Sequence, residues 1–304
     1  MTISPRRLLQ HAVGLPSGPV PEGRQVTLPG RGGSTYVTDT PGPTHDATAV
    51  VLLHAVGTTG RLSWYPAIPA LAERFRVVTL DLPWHGRGIM RPDFSLRDCA
   101  DDVAALIDVL RLDQPIVAGY SMGSIVAQRV WRQHPDLVGG LVLCATTDRF
   151  RTTVGERLFH ESMGLGMLAL RGLARSRVAR STARAAGHAL GGPIDDLHDW
   201  ALAEFRSTSP WAVGQAVAAL GRHHSRPWLA RIDVPTAVVI TRRDRVIPPG
   251  RQLDVARRIP GATILEIPAG HAACVLEADE FVPALVQVCA TVRARTGDQL
   301  RRTG

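Results

Sequence analysis

Short apolar runs alternate along this chain with longer stretches in which apolar residues recur every three or four positions. Eight runs read as strands: Arg24–Leu28, Ser34–Thr38, Ala49–His54, Arg76–Leu80, Pro115–Tyr120, Gly140–Ala145, Thr236–Thr241 and Ala262–Ile267. The first two flank Pro29-Gly30-Arg31-Gly32-Gly33, a hairpin-like turn. The other six are too uniformly apolar for half-exposed strands and predict parallel strands covered on both faces. Helical spacing follows Ser95, where a Ser-x-x-Asp cap precedes Leu96, Ala100, Val103, Ala104, Ile107 and Leu110. Met122–His134 predicts a helix stopped before Pro135, and Arg251–Ile259 and Phe281–Arg293 predict two more. Strands alternating with helices imply right-handed crossovers in a mostly parallel eight-stranded sheet flanked by helices. Residues 148–231 break the alternation. They carry no convincing strand, are rich in Ala, Leu, Arg and Gly, and predict a helical cap inserted between core segments 24–147 and 232–295. Residues 1–23 and 296–304 are terminal extensions.

Composition narrows the class. The 304 residues are 45% hydrophobic and 20% charged, enough apolar material for a substantial core. No apolar stretch approaches the ~20 residues of a membrane span, and Met1–Gly18 has no signal-peptide pattern. The formal charge of +8 comes from arginine alone, since the chain contains no lysine. Those arginines are scattered, densest at 171–184 and 293–302, without a nucleic-acid reading motif, so no nucleic-acid partner is expected. Cys99, Cys144, Cys274 and Cys289 are widely spaced and form no CxxC pair. They predict four buried, reduced thiols in a cytoplasmic protein.

Gly119-Tyr120-Ser121-Met122-Gly123 is a G-x-S-x-G sequence placed between a predicted strand and a predicted helix. That setting defines a nucleophile elbow: a sharp turn lifts the serine hydroxyl above the sheet edge, and flanking glycines avoid clashes. The helix start then aims N–H groups at developing negative charge. A serine hydroxyl needs a base within hydrogen-bond reach. Among eleven histidines, His271 fits, because it follows the last strand in the loop Pro268-Ala269-Gly270. His134 ends a helix. His223-His224 fall in the hinge of the inserted segment, with no carboxylate or Cys at ligand spacing, so no metal is expected. The base in turn needs a carboxylate to fix its tautomer. Asp244 lies just beyond Thr236–Thr241, in a loop ending Val-Ile-Pro-Pro that suits a rigid turn, and Asp148, beyond Gly140–Ala145, is its rival.

With these residues in place the chain resembles the α/β-hydrolase superfamily, in its capped serine esterase/lactonase/haloperoxidase-like branch. The resemblance spans roughly Arg24–Arg293 and is weakest over the cap. Leu52-Leu53-His54-Ala55-Val56-Gly57 resembles the family's His-Gly-x-x oxyanion loop, and Asp81-Leu82-Pro83-Trp84-His85-Gly86-Arg87-Gly88 its Asp-x-Pro-Gly-His-Gly-x-Ser turn. Ser121, Asp244 and His271 match the triad positions, in the family's chain order. The resemblance implies oxyanion donors at the backbone N–H of Met122 and of Val56, with Ala55 the lesser alternative. Two departures stand out. Ala55 replaces a usual Gly, which tilts the loop if that position needs positive φ. Trp84 and Gly88 replace the usual Gly and Ser, and Trp84 is either a pocket wall or ordinary packing. His54 and His85 read as structural.

The implied chemistry is hydrolysis of a carboxylic ester or lactone through an acyl-enzyme on Ser121, without metal or organic cofactor. Met163, Leu165, Met167, Leu168 and Leu170 make the cap apolar, so the expected substrate is a hydrophobic small molecule. Met163, Met167 and Trp84 are the candidate substrate contacts. The same residues also serve perhydrolysis, cofactor-free haloperoxidase chemistry or acyl transfer, since residues alone do not choose among acceptors. A silent ligand-binding protein of hydrolase fold is the reading from a different class. Ala55 and Trp84 favour it and the intact Ser-Asp-His set speaks against it.

Overall fold

The computed structural model describes residues 20–152, 154–156, 158 and 197–303, without the side chains of 198 and 298–303. The eight expected strands are present: β1 (Arg24–Leu28), β2 (Gly33–Thr40), β3 (Ala49–Leu53), β4 (Arg76–Leu80), β5 (Ile116–Tyr120), β6 (Gly140–Cys144), β7 (Thr236–Thr241) and β8 (Thr263–Ile267). They form one sheet in the order β1-β2-β4-β3-β5-β6-β7-β8. β1 pairs antiparallel with β2 and β2 with β4, while every pairing from β4 to β8 is parallel. The Gly-rich turn between β1 and β2 is a hairpin with Gly30 and Gly32 at positive φ, the conformation glycine adopts without cost.

Between the strands run α1 (Gly60–Trp64), α2 (Ile68–Ala72), α3 (Leu96–Val109), α4 (Met122–Gln133), α5 (Leu197–Arg206), α6 (Pro210–Leu220) and α7 (Pro249–Arg258), and after β8 come α8 (Ala273–Leu276) and α9 (Ala278–Thr303). The Ser95 hydroxyl accepts from Arg97 N and Asp98 N, the cap read from the sequence. The α3 face Leu96, Cys99, Ala100, Val103, Ala104, Leu106 and Ile107 is buried. Strand residues alternate between two cores. Val51 and Leu53 join α3, α4, α6 and α7, whereas Val50 and Leu52 join α1, α2, α8 and α9. Six central residues of β5 and β6 are wholly enclosed because both faces are covered: Val117, Ala118, Tyr120, Leu141, Val142 and Leu143.

One expectation changes. β8 is not covered on both faces: its burial alternates along the strand and Glu266 faces out to pair with Arg242, as fits an edge strand. The segment from Thr296, a terminal extension in the sequence reading, continues α9 to Thr303, and the Thr296 hydroxyl lies 2.8 Å from Gly139 O. In the inserted segment α5 and α6 are helical, with an isolated bridge between Arg149 and His224 and Ser225 N donating to Asp148 O. α5 is seated on the loops after β3 and β4. Glu204 accepts from the Thr59 hydroxyl at 2.5 Å and pairs with Arg87 at 3.3 Å and Arg61 at 3.6 Å. Nearby, Thr208 Oγ1 accepts from Gly86 N at 3.1 Å.

Candidate active site

The turn between β5 and α4 is as tight as its sequence requires. Ser121 has φ 51° and ψ −113°, and its N–H donates to Cys144 O on the neighbouring strand at 3.0 Å. A Cβ on Gly119 would lie 2.2 Å from Gly123, and one on Gly123 would lie 2.0 Å from Leu53 O. Only glycine allows the strand, the helix and β3 to approach so closely. Ser121 is 6% exposed, more enclosed than a serine standing clear of the sheet edge, yet its hydroxyl is not isolated.

Ser121 Oγ lies 3.0 Å from His271 Nε2, and His271 Nδ1 lies 2.7 Å from Asp244 Oδ2. The carboxylate can only accept, so Nδ1 carries the proton and Nε2 faces the serine as an acceptor. Asp244 is almost fully buried and heavily supported. Oδ1 accepts from Val246 N at 2.8 Å and Ile247 N at 2.9 Å, and Oδ2 accepts from the Thr241 hydroxyl at 2.9 Å and Gln252 Nε2 at 3.2 Å. Burial pushes this carboxyl up, but the hydrogen bonds from His271 and Ile247 N and the imidazole's proximity outweigh it. The net shift is downward, which keeps Asp244 ionised. Asp148 is not brought to this set. Its backbone carbonyl holds Ser225, and Arg226 lies 3.9 Å from its carboxylate.

A second group of contacts fixes the loop after β3. The Ala55 carbonyl accepts from His54 Nδ1 at 2.7 Å and from the Thr58 hydroxyl at 2.9 Å. In a trans peptide the N–H points opposite the carbonyl, so these bonds set the direction of Val56 N–H. Among the described residues neither Val56 N nor Met122 N donates to a protein acceptor. His54 Nε2 accepts from Leu82 N at 2.9 Å, which ties this loop to the turn after β4 and assigns the tautomer. Burial holds His54 neutral, at a pKa of about 4, and its neighbour His85 at about 3. Both rings hydrogen-bond to the backbone of these loops. Ala55 does not adopt positive φ, so the alanine sits there without strain, and Gly57 takes the left-handed turn at φ 76°.

Trp84 does occupy a left-handed position, φ 69°, where glycine is the easy choice. Its side chain is 8% exposed and packed in the larger core, the cluster that also contains Met122 and Val56. Met163 and Met167 lie outside the described residues, as do Leu165, Leu168 and Leu170. Sequence reasoning missed Thr241 and Gln252. Gln252 is fully buried on α7, accepts from Thr241 N at 3.0 Å and donates to Ile247 O at 2.8 Å. The signal was present: Gln252 is the one polar member of the stripe Gln252, Val255, Ala256 and Ile259. All four cysteines are free and buried, and no group of metal-ligating side chains occurs among the described residues.

A parallel sheet with a serine at a strained strand–helix corner, met by an imidazole and a carboxylate from two later loops, defines a class. Residues 48–278 match the family model described as alpha/beta hydrolase fold, and the chain belongs to that family. Over 246 residues it is 30% identical to a pimeloyl-[acyl-carrier protein] methyl ester esterase of Chromobacterium violaceum, covering 78% of this chain and 92% of that protein. It is 29% identical over 253 residues to the magnesium-chelatase 30 kDa subunit of Rhodobacter capsulatus, covering 78% and 84%. The fold is similar to that of the enol-lactonase from Burkholderia xenovorans LB400, with TM-score 0.66 and 23% identity over 88% of this chain and all of that one.

Proposed function

We propose that the protein is a serine hydrolase that cleaves a carboxylic ester or lactone of a hydrophobic small molecule through an acyl-enzyme on Ser121. The observation that carries this reading is the unbroken relay from Ser121 Oγ through His271 to Asp244, at 3.0 and 2.7 Å. Nε2 takes the serine proton as Oγ attacks the carbonyl carbon. Asp244 holds the ring and stabilises the imidazolium that forms. Val56 and Met122 N–H receive the negative charge on the carbonyl oxygen, where one such donor is worth ~3–4 kcal/mol. His271 then gives its proton to the leaving alcohol, and a water molecule deprotonated by the same nitrogen releases the acid. The esterase name of the Chromobacterium relative supports the ester bond as the target.

Residues 148–231 act as the cap, with the described helix α5 latched through Glu204 onto the loops that carry Val56 and Trp84. Met163, Met167 and Trp84 contact the substrate. The free, buried thiols fit a reducing compartment such as the cytoplasm, and no described helix is long and apolar enough to cross a membrane. The test is Ser121→Ala. The variant loses covalent labelling by a fluorophosphonate and drops at least ~10³-fold in turnover of p-nitrophenyl esters. Labelling retained at a different serine refutes the assignment.

A further inference from the structure

The loop between Ile267 and Ala273 carries the imidazole and is held at three points. Arg243 N donates to Ala269 O at 2.9 Å, just beyond the last paired residues of β7 and β8. The Tyr120 hydroxyl reaches Gly270 O at 3.5 Å, a long and weak contact. Gly270 N donates to Glu277 Oε1 at 2.7 Å, a short bond to a carboxylate. Glu277 is itself well anchored. It sits where α8 ends and α9 begins, its N–H bound to Ala273 O and its carbonyl accepting from Glu280 N and Phe281 N. Its second carboxylate oxygen takes the Arg243 guanidinium, on the residue immediately before Asp244. One side chain thus touches the backbone just before the base and the side chain just before the acid.

We propose that Glu277 is a positioning residue for the charge relay. It fixes the peptide before His271 so that the Nδ1–Asp244 and Nε2–Ser121 hydrogen bonds form together. The inference rests on the serine-hydrolase reading above. Gly270 has no side chain to restrain its own torsions, so an unheld N–H would turn to water and carry the imidazole with it. An exposed pair with a mobile arginine would by itself contribute little, because solvent screens it. Arg243 is 65% exposed in its side chain, so the bond to the Gly270 amide, not the ion pair, carries the effect.

The experiment compares the unmodified protein with Glu277→Ala, Glu277→Gln and Ser121→Ala, reading kcat and KM on p-nitrophenyl acetate, the fluorophosphonate labelling rate and Tm. Displacing a reacting group by ~1 Å costs up to ~10²-fold, so Glu277→Ala lowers kcat and labelling rate by ~10- to 10²-fold with KM little changed. Glu277→Gln keeps an oxygen for the Gly270 amide and recovers most of the lost rate although the ion pair is gone. An unchanged kcat in the alanine variant, or a glutamine variant as slow as alanine, overturns the positioning role. Labelling that survives Ser121→Ala brings down the serine reading and this inference with it. An essential Ser121 beside an indifferent Glu277 brings down the inference alone.

Discussion

The Asp244 carboxylate receives four donors besides His271: two backbone amides, a threonine hydroxyl and a glutamine amide. Each favours the anion, and together with the hydrogen bond and charge of His271 they overcome the cost of burial, so the carboxylate is charged throughout the neutral range. The sign follows directly. A depressed carboxyl pKa contributes stability that is present above the ordinary carboxylate range and is lost as pH falls through the folded value. Replacing Asp244 by Asn presents an amide that can donate where only acceptance suits Nδ1–H, which reverses the tautomer. Asp244→Asn is expected to cost ~10³- to 10⁴-fold in kcat at neutral pH, measured on the same chromogenic ester. A loss under tenfold would mean that Asp244 does not orient the base. Trp84 shows a different economy at this scale. It holds a left-handed conformation that costs a bulky residue ~1–3 kcal/mol, offset by burying an indole in the core.

At the scale of elements, the elbow is a three-body contact: the end of β3, the end of β5 and the first turn of α4. Gly123→Ala would set a methyl 2.0 Å from Leu53 O, so β3 or α4 must move. Overpacking of this kind costs ~3 kcal/mol, and the urea midpoint of the variant falls accordingly. A midpoint within error of the unmodified protein would show that the two elements are not so close. Local signals of this sort made much of the site legible beforehand. Strand positions were readable because six runs are apolar on both faces, and α3 because Ser95 and its apolar stripe agree. β8 was misread because Ile264 and Leu265 are as apolar as core residues; Glu266 was the one sign in the run that a face meets water. Asp244 was preferred to Asp148 from its rigid Val-Ile-Pro-Pro loop and the chain order; the physical reason lies in the fold, where the loop after β7 is folded onto His271. Gln252 and Glu277 act by contacts 5 to 11 and 7 residues away around loops whose path no periodicity encodes. α1 and α2, five residues each, were too short to show a stripe.

For the molecule as a whole, enclosing three neutral imidazoles makes stability depend on pH. His54, His85 and His223 are buried with pKa values lowered to about 4, about 3 and about 3, burial being the largest cause in each. The unfolded chain protonates them near pH 6.5, so below that value it binds protons the folded protein refuses. Stability is therefore complete above pH 6.5 and falls as the medium is acidified, until the folded values are reached. Each histidine removes about 2 kcal/mol by pH 5. Asp81 works in the opposite sense, because burial raises its pKa, and Asp244 works in the same sense as the histidines. Thermal melts at pH 7 and pH 5 should show a large drop in Tm, and equal values at the two pH settings would contradict neutral burial.

The sheet order carries a last consequence. Ser121 follows β5, near the middle of the sheet, whereas His271 follows β8, its outermost and final strand, 150 residues later in the chain. During synthesis the nucleophile therefore emerges long before any group able to deprotonate it. A half-made chain carries the serine without the imidazole that would deprotonate it. On the proposed mechanism, activity arises only after β8 has docked and α9 has closed over it.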